Sequence, residues 1–266
     1  MRPKRSLGQN FLKNIGIAEK MASLADIGTQ DTVVEVGPGR GMLTRVLLKY
    51  ASEVIAIEKD DKLFEQLGVG LRDYSNLQLI HQDILESDLG QIIPDGAKLV
   101  SNLPYNIATQ LIMRLVDHAG RITSVVVMIQ KEVGQRICAH VGDKTYSLLS
   151  VIVAAGFDAS PGFIVGPNNF FPQPKVDSQV IKLIPKSSPI PQTDMELFWR
   201  VVAKAFGQRR KTLRNTLSQL PSMDDEALGK LSSYAGIDLG QRPQEITPDQ
   251  YHLFSKGYEE LLKGRS

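Results

Sequence analysis

The chain holds a single cysteine, Cys138, in 266 residues, which excludes an internal disulfide. Its four histidines, His81, His118, His140 and His252, are scattered without metal-ligand spacing, so no protein-bound metal is expected. No apolar run approaches the length that crosses a bilayer, and the N-terminus is basic without the apolar core of a signal sequence. A cytoplasmic protein with no membrane association is expected. Internal repeats and low-complexity tracts are lacking too. What remains is ordinary: 42% apolar and 23% charged residues, in a length that suits one large or two modest domains.

The net charge of +2 is small only because opposite regions cancel. Residues 1–20 carry Arg2, Lys4, Arg5, Lys13 and Lys20 against Glu19 alone, a balance of +4. Residues 171–215 carry nine Lys or Arg against three acids, a balance of +6, which leaves −8 for the rest. Local field, not total charge, steers a polyanion, so this segregation points to a face for phosphates. Arg209, Arg210, Lys211 and Arg214 form its densest cluster. Read as a helix, the stretch places Arg210 and Arg214 four apart and away from an apolar stripe of Leu213, Leu217 and Leu220.

Apolar strand-like runs near 32–37, 53–58, 77–81, 97–101 and 123–129 alternate with helical spacing near 41–50, 60–68, 107–118 and 130–139. That order implies an α/β fold with a parallel sheet covered on both faces. A further helix over 146–155 and strands over 162–165 and 176–184 follow, then a Pro- and Ser-rich linker over 185–191. Beyond it the pattern is helical, with Leu197, Phe198, Val201, Val202, Ala205 and Phe206 on one face and helices expected near 224–235 and 248–263. The expected division is residues 1–186, an α/β domain with an N-terminal basic lid segment, and 187–266, a small all-helical C-terminal domain.

Glu35-Val36-Gly37-Pro38-Gly39-Arg40-Gly41 sits between a strand and a helix, where glycines let backbone approach a ligand and the helix start offers free amides. The second strand ends on Glu58, 21 residues after Gly37, the spacing at which an acid grips ribose hydroxyls. The third ends near Asp83. The fourth runs into Asn102-Leu103-Pro104-Tyr105, a polar acceptor beside an aromatic face, with Pro104 holding the preceding residue extended. Acids after strands two and three and this tetrapeptide after strand four suit an S-adenosylmethionine site better than a dinucleotide one. Glu58 is then expected on the ribose, Asp83 on the adenine amine and Asn102 at the reacting centre. A planar purine with an exocyclic amine fits the tetrapeptide, Tyr105 stacking on its ring.

Six blocks now stand in order: Gln9-Asn10-Phe11-Leu12, Gly37 to Gly41, Asn102 to Tyr105, Gln130-Lys131-Glu132-Val133, Phe170 to Ser178 and Gln208-Arg209-Arg210-Lys211-Thr212. Together they resemble the small-subunit ribosomal RNA adenine dimethyltransferases of the KsgA or RsmA type. The resemblance implies a Rossmann-like methyltransferase domain with a mixed, mostly parallel sheet closed by an antiparallel edge hairpin. It implies S-adenosylmethionine as methyl donor, S-adenosylhomocysteine as product, and Asn10, Leu12, Gly37 and Gly39 among the cofactor contacts. The Leu103 carbonyl is implied as a second acceptor for the amine, and Phe170 as the ring on the far face of the target base. Arg209, Arg210, Lys211 and Arg214 are expected to bind RNA. The implied substrate is two adjacent adenosines in the 3′-terminal hairpin of small-subunit ribosomal RNA, within an immature small ribosomal subunit, and the implied enzyme is a monomer. The Erm-type large-subunit methyltransferases share the loop and tetrapeptide, while the Gln130 and Gln208 blocks favour the small-subunit type. A ribosome-assembly binding factor whose methylation is secondary or lost is the alternative, against which the intact Glu58, Asp83, Asn102 and Tyr105 speak.

Overall fold

Apolar runs, several of them rich in valine and isoleucine, build a seven-stranded sheet at the centre of the first of two compact units. The computed structural model describes residues 8–187 and 189–264, so Arg2, Lys4 and Arg5 of the basic N-terminal tail lie outside the described residues. The first unit runs to Gln135 and resumes over Phe157–Lys186; the second comprises Arg136–Gly156 and the residues from Ser187 onward.

The strands of the first unit are β1 (Phe11–Leu12), β2 (Thr32–Val36), β3 (Glu53–Glu58), β4 (Leu77–His81), β5 (Ala97–Asn102), β6 (Ile122–Gln130), β7 (Phe157–Val165), β8 (Phe170–Phe171) and β9 (Ser178–Pro185). Sheet order is β4-β3-β2-β5-β6-β9-β7, parallel from β4 to β6 and antiparallel where β9 pairs with β6 and β7. Val33, Val34, Val54, Val100, Val125, Val126 and Val127 are fully enclosed, as strands covered on both faces require. Chain order reverses between β2 and β5, which pair at Val33↔Lys98 and Val34↔Leu99. A crevice opens at the carboxyl ends of the strands at such a reversal. The edge strand β7 is longer than the sequence suggests, because Gly162 lets it pass close to β9: a Cβ there would lie 2.9 Å from the Val180 carbonyl oxygen.

Helices α1 (Ile15–Leu24), α2 (Met42–Leu47), α3 (Asp61–Gly70), α4 (Leu89–Ile92), α5 (Ala108–Val116) and α6 (Lys131–Ile137) follow in the gaps. Asn14 caps α1 by accepting from the Gly16 amide at 3.0 Å, and Asp60 caps α3 by accepting from Lys62 and Leu63. The apolar faces of α1 and α2, including Met21, Val46 and Leu47, share one core with Val33, Val54, Val126 and Met128.

The second unit is helical: α7 (Leu148–Gly156), α8 (Gln192–Phe206), α9 (Leu213–Leu217), α10 (Asp225–Ala235) and α11 (Pro248–Gly264). Phe198, Val202, Leu213, Leu217, Leu228 and Phe254 are its fully enclosed core. Three buried tyrosines tie it together through backbone carbonyls: Tyr146 donates to Ile246, Tyr251 to Pro243 and Tyr258 to Pro221, at 2.8–3.1 Å. A single cut after residue 186 therefore misplaces residues 136–156, whose apolar side chains and Tyr146 hydroxyl find their partners among the C-terminal helices. Among the described residues no helix is long and apolar enough to cross a membrane.

Candidate functional site

Three strand ends and two flanking segments enclose a cavity of about 280 Å³ in the first unit. Its wall includes Asn10, Leu12, Gly37, Gly39, Glu58, Asp83, Asn102, Leu103 and Tyr105, residues that lie far apart in sequence and that the motifs and strand-end spacing single out.

The glycine loop leaves β2 with Gly37 at φ +67° and Gly39 at φ +61°, conformations that a side chain rarely adopts. Space demands glycine as well. A Cβ on Gly37 would lie 3.2 Å from Pro104, and one on Gly39 would lie 3.0 Å from the Phe11 ring. The loop is thus packed against the tetrapeptide on one side and the N-terminal segment on the other.

Glu58, at the end of β3, is buried, and backbone amides hold both its oxygens: Oε2 accepts from Gly39 at 3.2 Å and Oε1 from Asp60 at 2.9 Å. Burial raises its carboxyl above the ordinary range, an effect that these amides oppose. Asp83 behaves in the opposite sense. Partial burial raises it, but the Lys59 ammonium and the Leu85 amide, 2.9 Å from Oδ1, outweigh that and hold it below the ordinary range. One acid is therefore fixed by backbone amides alone and the other by a cation together with an amide.

The tetrapeptide continues β5. Ser101 donates its hydroxyl to the Val36 carbonyl, which locks the strand end to the start of the glycine loop. The Asn102 side-chain amide donates to the Asn10 carbonyl at 3.2 Å, so its NH2 faces the N-terminal segment while its Oδ1 is left to accept. The Leu103 amide is fixed to Met128 of β6 at 3.1 Å, and the Pro104 carbonyl starts α5 by accepting from Ile107 and Ala108. Tyr105 is anchored at its tip by a 2.7 Å hydrogen bond with the buried Ser178 hydroxyl, which orients the ring at the cavity wall.

Two sequence expectations need correction. Phe170 is 2% exposed and packs in the core beside Leu12, outside the cavity wall; its neighbour Phe171 is the exposed one, at 48%. Strand alternation gives the reason, since β8 pairs with β1 as Phe11↔Phe171 and Leu12↔Phe170 and sends successive side chains to opposite faces. In the second unit, Arg209, Arg210 and Lys211 occupy the turn between α8 and α9, so Arg210 and Arg214 do not share a helix. Leu213 and Leu217 are buried as expected, and Leu220 lies just past the helix end. All four cations are exposed, but Arg209 also donates to the Tyr146 carbonyl at 2.7 Å and so braces its own turn.

Glu35 draws no role from the sequence, although an acid inside the apolar run of β2 is an available signal. It is 1% exposed, lines the cavity, and its Oε2 finds no hydrogen-bond partner among the described residues. Burial pushes its carboxyl up to about 8, opposed by the Thr44 hydroxyl and reinforced by the charge of Glu58. Burial thus favours the neutral form of Glu35.

Comparison with known proteins agrees with this geometry. The family model described as ribosomal RNA adenine dimethylase matches residues 1–260. The chain is 36% identical to ribosomal RNA small subunit methyltransferase A of Geobacter metallireducens, over 96% of this chain and 95% of that protein. It is 42% identical to the protein of the same name from Ligilactobacillus salivarius, over 92% and 86%. Among solved structures, a dimethyladenosine transferase from Plasmodium falciparum superposes with a TM-score of 0.78 at 26% identity, covering 94% of this chain and 98% of that one. The glycine cradle, the buried Glu58 carboxyl and the acceptor at the end of β5 are a donor and acceptor set that fits S-adenosylmethionine. The chain belongs to the ribosomal RNA adenine dimethylase family, S-adenosylmethionine-dependent methyltransferases that act on ribosomal RNA.

Proposed function

We propose that the protein methylates N6 of two adjacent adenosines in the 3′-terminal hairpin loop of small-subunit ribosomal RNA, giving N6,N6-dimethyladenosine, and that it meets this RNA in an immature small subunit, as a cytoplasmic monomer. The observation that carries the reading is the placement of Asn102, whose NH2 is engaged by Asn10 and whose oxygen is left for a donor beside the cavity. The names of its relatives, small subunit methyltransferase A, support the small-subunit over the large-subunit substrate.

Bound S-adenosylmethionine supplies a methyl group on a sulfonium, electrophilic enough to need no strong base. Glu58 is assigned to the ribose hydroxyls, Asp83 to the adenine amine of the cofactor, and Asn10, Leu12, Gly37 and Gly39 to the remaining contacts. The target amine is a poor nucleophile because its lone pair is delocalised into the ring. Asn102 Oδ1 and the Leu103 carbonyl accept its two hydrogens and favour a pyramidal nitrogen whose lone pair points along the line of attack. A bound methyl donor would leave as the neutral thioether, and the acceptors at Asn102 and Leu103 would hold the amine's hydrogens until the spare proton passes to water. Tyr105, fixed by Ser178, stacks on the target base once that base has left its own stack. Arg210, Lys211 and Arg214 are assigned to phosphates, with Arg209 shaping the turn that presents them.

Single-turnover methylation of small subunits from cells lacking the protein tests this. Asn102→Ala is expected to slow transfer a hundredfold or more at saturating cofactor, on the order of 3 kcal/mol, while RNA binding persists because phosphate contacts carry most of it. A rate within a few-fold of wild type would reduce the tetrapeptide to scaffold and end this reading.

A further inference from the structure

Phe171 stands out as a large aromatic side chain that is 48% exposed on a two-residue strand, paired with Phe11 of the cavity wall. An exposed phenylalanine alone needs no explanation. This one is built into place. The Arg40 guanidinium lies 5.5 Å from the centre of its ring and 4.7 Å from that of Phe11, the residue paired with it across β1 and β8. Phe11 is buried, is packed against Gly39, and lines the cavity with Arg40. The planar cation thus joins two rings from neighbouring strands and fixes the outer one relative to the glycine loop.

We propose that Phe171 is a stacking platform for an RNA base that neighbours the target adenine. The proposal rests on the reading of the cavity given above. A base that leaves its stack deprives its neighbour of a stacking partner, and an oriented aromatic face at the mouth of the site replaces that partner. Stacking on an aromatic ring tolerates any base, so the platform supplies affinity for the unstacked state without demanding a sequence.

The test compares Phe171→Leu and Phe171→Trp in single-turnover methylation of small subunits from cells lacking the protein, at saturating cofactor. Leucine keeps an apolar side chain on β8 but cannot stack. The concentration of subunits giving half the maximal rate is expected to rise at least about fivefold for Phe171→Leu, to stay within about twofold for Phe171→Trp, and cofactor affinity is expected to hold in both. Equal behaviour of the two variants overturns the proposal, and so does a loss of cofactor affinity that accounts for the leucine effect. Asn102→Ala in the same assay keeps the two readings apart. If it is inactive while Phe171→Leu behaves as wild type, only the platform falls; if it is fully active, the cavity has been misread.

Discussion

The protein handles charge in two contrasting ways. In the first unit a few acids, Glu35 and Glu58, are shut away from water, each held by or lacking particular hydrogen bonds. In the second unit Arg209, Arg210, Lys211 and Arg214 stand exposed around a turn and a short helix. A desolvated group matters a great deal singly, because every hydrogen bond made or broken is felt at low local dielectric. An exposed cation matters little singly and works through number, under the control of salt. The cofactor site should therefore be sensitive to single atoms and pH, and the RNA face to counts of charge and ionic strength.

The sharpest break in this contrast is expected at Glu35. Its carboxyl rises from an ordinary 4.5 to about 8, so between those values the native state holds a proton that the unfolded state has released. Its contribution to stability is complete below pH 4.5 and is lost as pH rises toward 8, at up to about 1.4 kcal/mol per pH unit. Glu35→Gln, which stays neutral, is expected to remove that slope. Urea unfolding of both proteins from about pH 5 to 9 checks it: parallel curves would show that Glu35 titrates normally.

Next in size is Glu58→Ala, expected to weaken S-adenosylmethionine binding by about 1 to 3 kcal/mol through loss of a charged acceptor. Calorimetry at two salt concentrations should give the same difference at both. Unchanged affinity in a folded variant would remove Glu58 from the ribose.

The smallest effect per residue belongs to the basic turn. Replacing Arg210, Lys211 and Arg214 together by alanine is expected to weaken RNA binding mainly at low salt and to flatten the plot of log affinity against log salt by roughly 0.7 to 0.9 for each phosphate no longer neutralised. Cofactor affinity is expected to stay put. An unaltered slope would place the phosphate face elsewhere. Arg209 is left out of the set because its bond to Tyr146 makes its removal a structural change as well.

Much of the first unit is legible in the residues themselves. Apolar runs locate β2, β3, β5 and β6, and the acid 21 residues after Gly37 locates Glu58, since a glycine turn, one crossover helix and a parallel strand leave little freedom in that distance. Which of Phe170 and Phe171 faces outward is not legible, because a two-residue strand is too short for alternation to show the inward face. The bracing role of Arg209 is invisible because its acceptor lies 63 residues away. The helix over 146–155 reads as a helix, but nothing in its own pattern says with which unit an apolar helix packs.

That detour of the chain has a consequence in time. The segment 136–156 leaves the ribosome long before its partners do: the Tyr146 hydroxyl waits for a carbonyl 100 residues further along. At translation rates of about 5 to 20 residues per second, the wait is roughly 5 to 20 seconds. Even when every strand of the central sheet has been made, the nine residues Leu148–Gly156, rich in leucine, valine and alanine, still have no completed core to join. Nascent chains stalled just past Pro185, the end of β9, should therefore display this helix to chaperones, and chains released after Tyr258 should not.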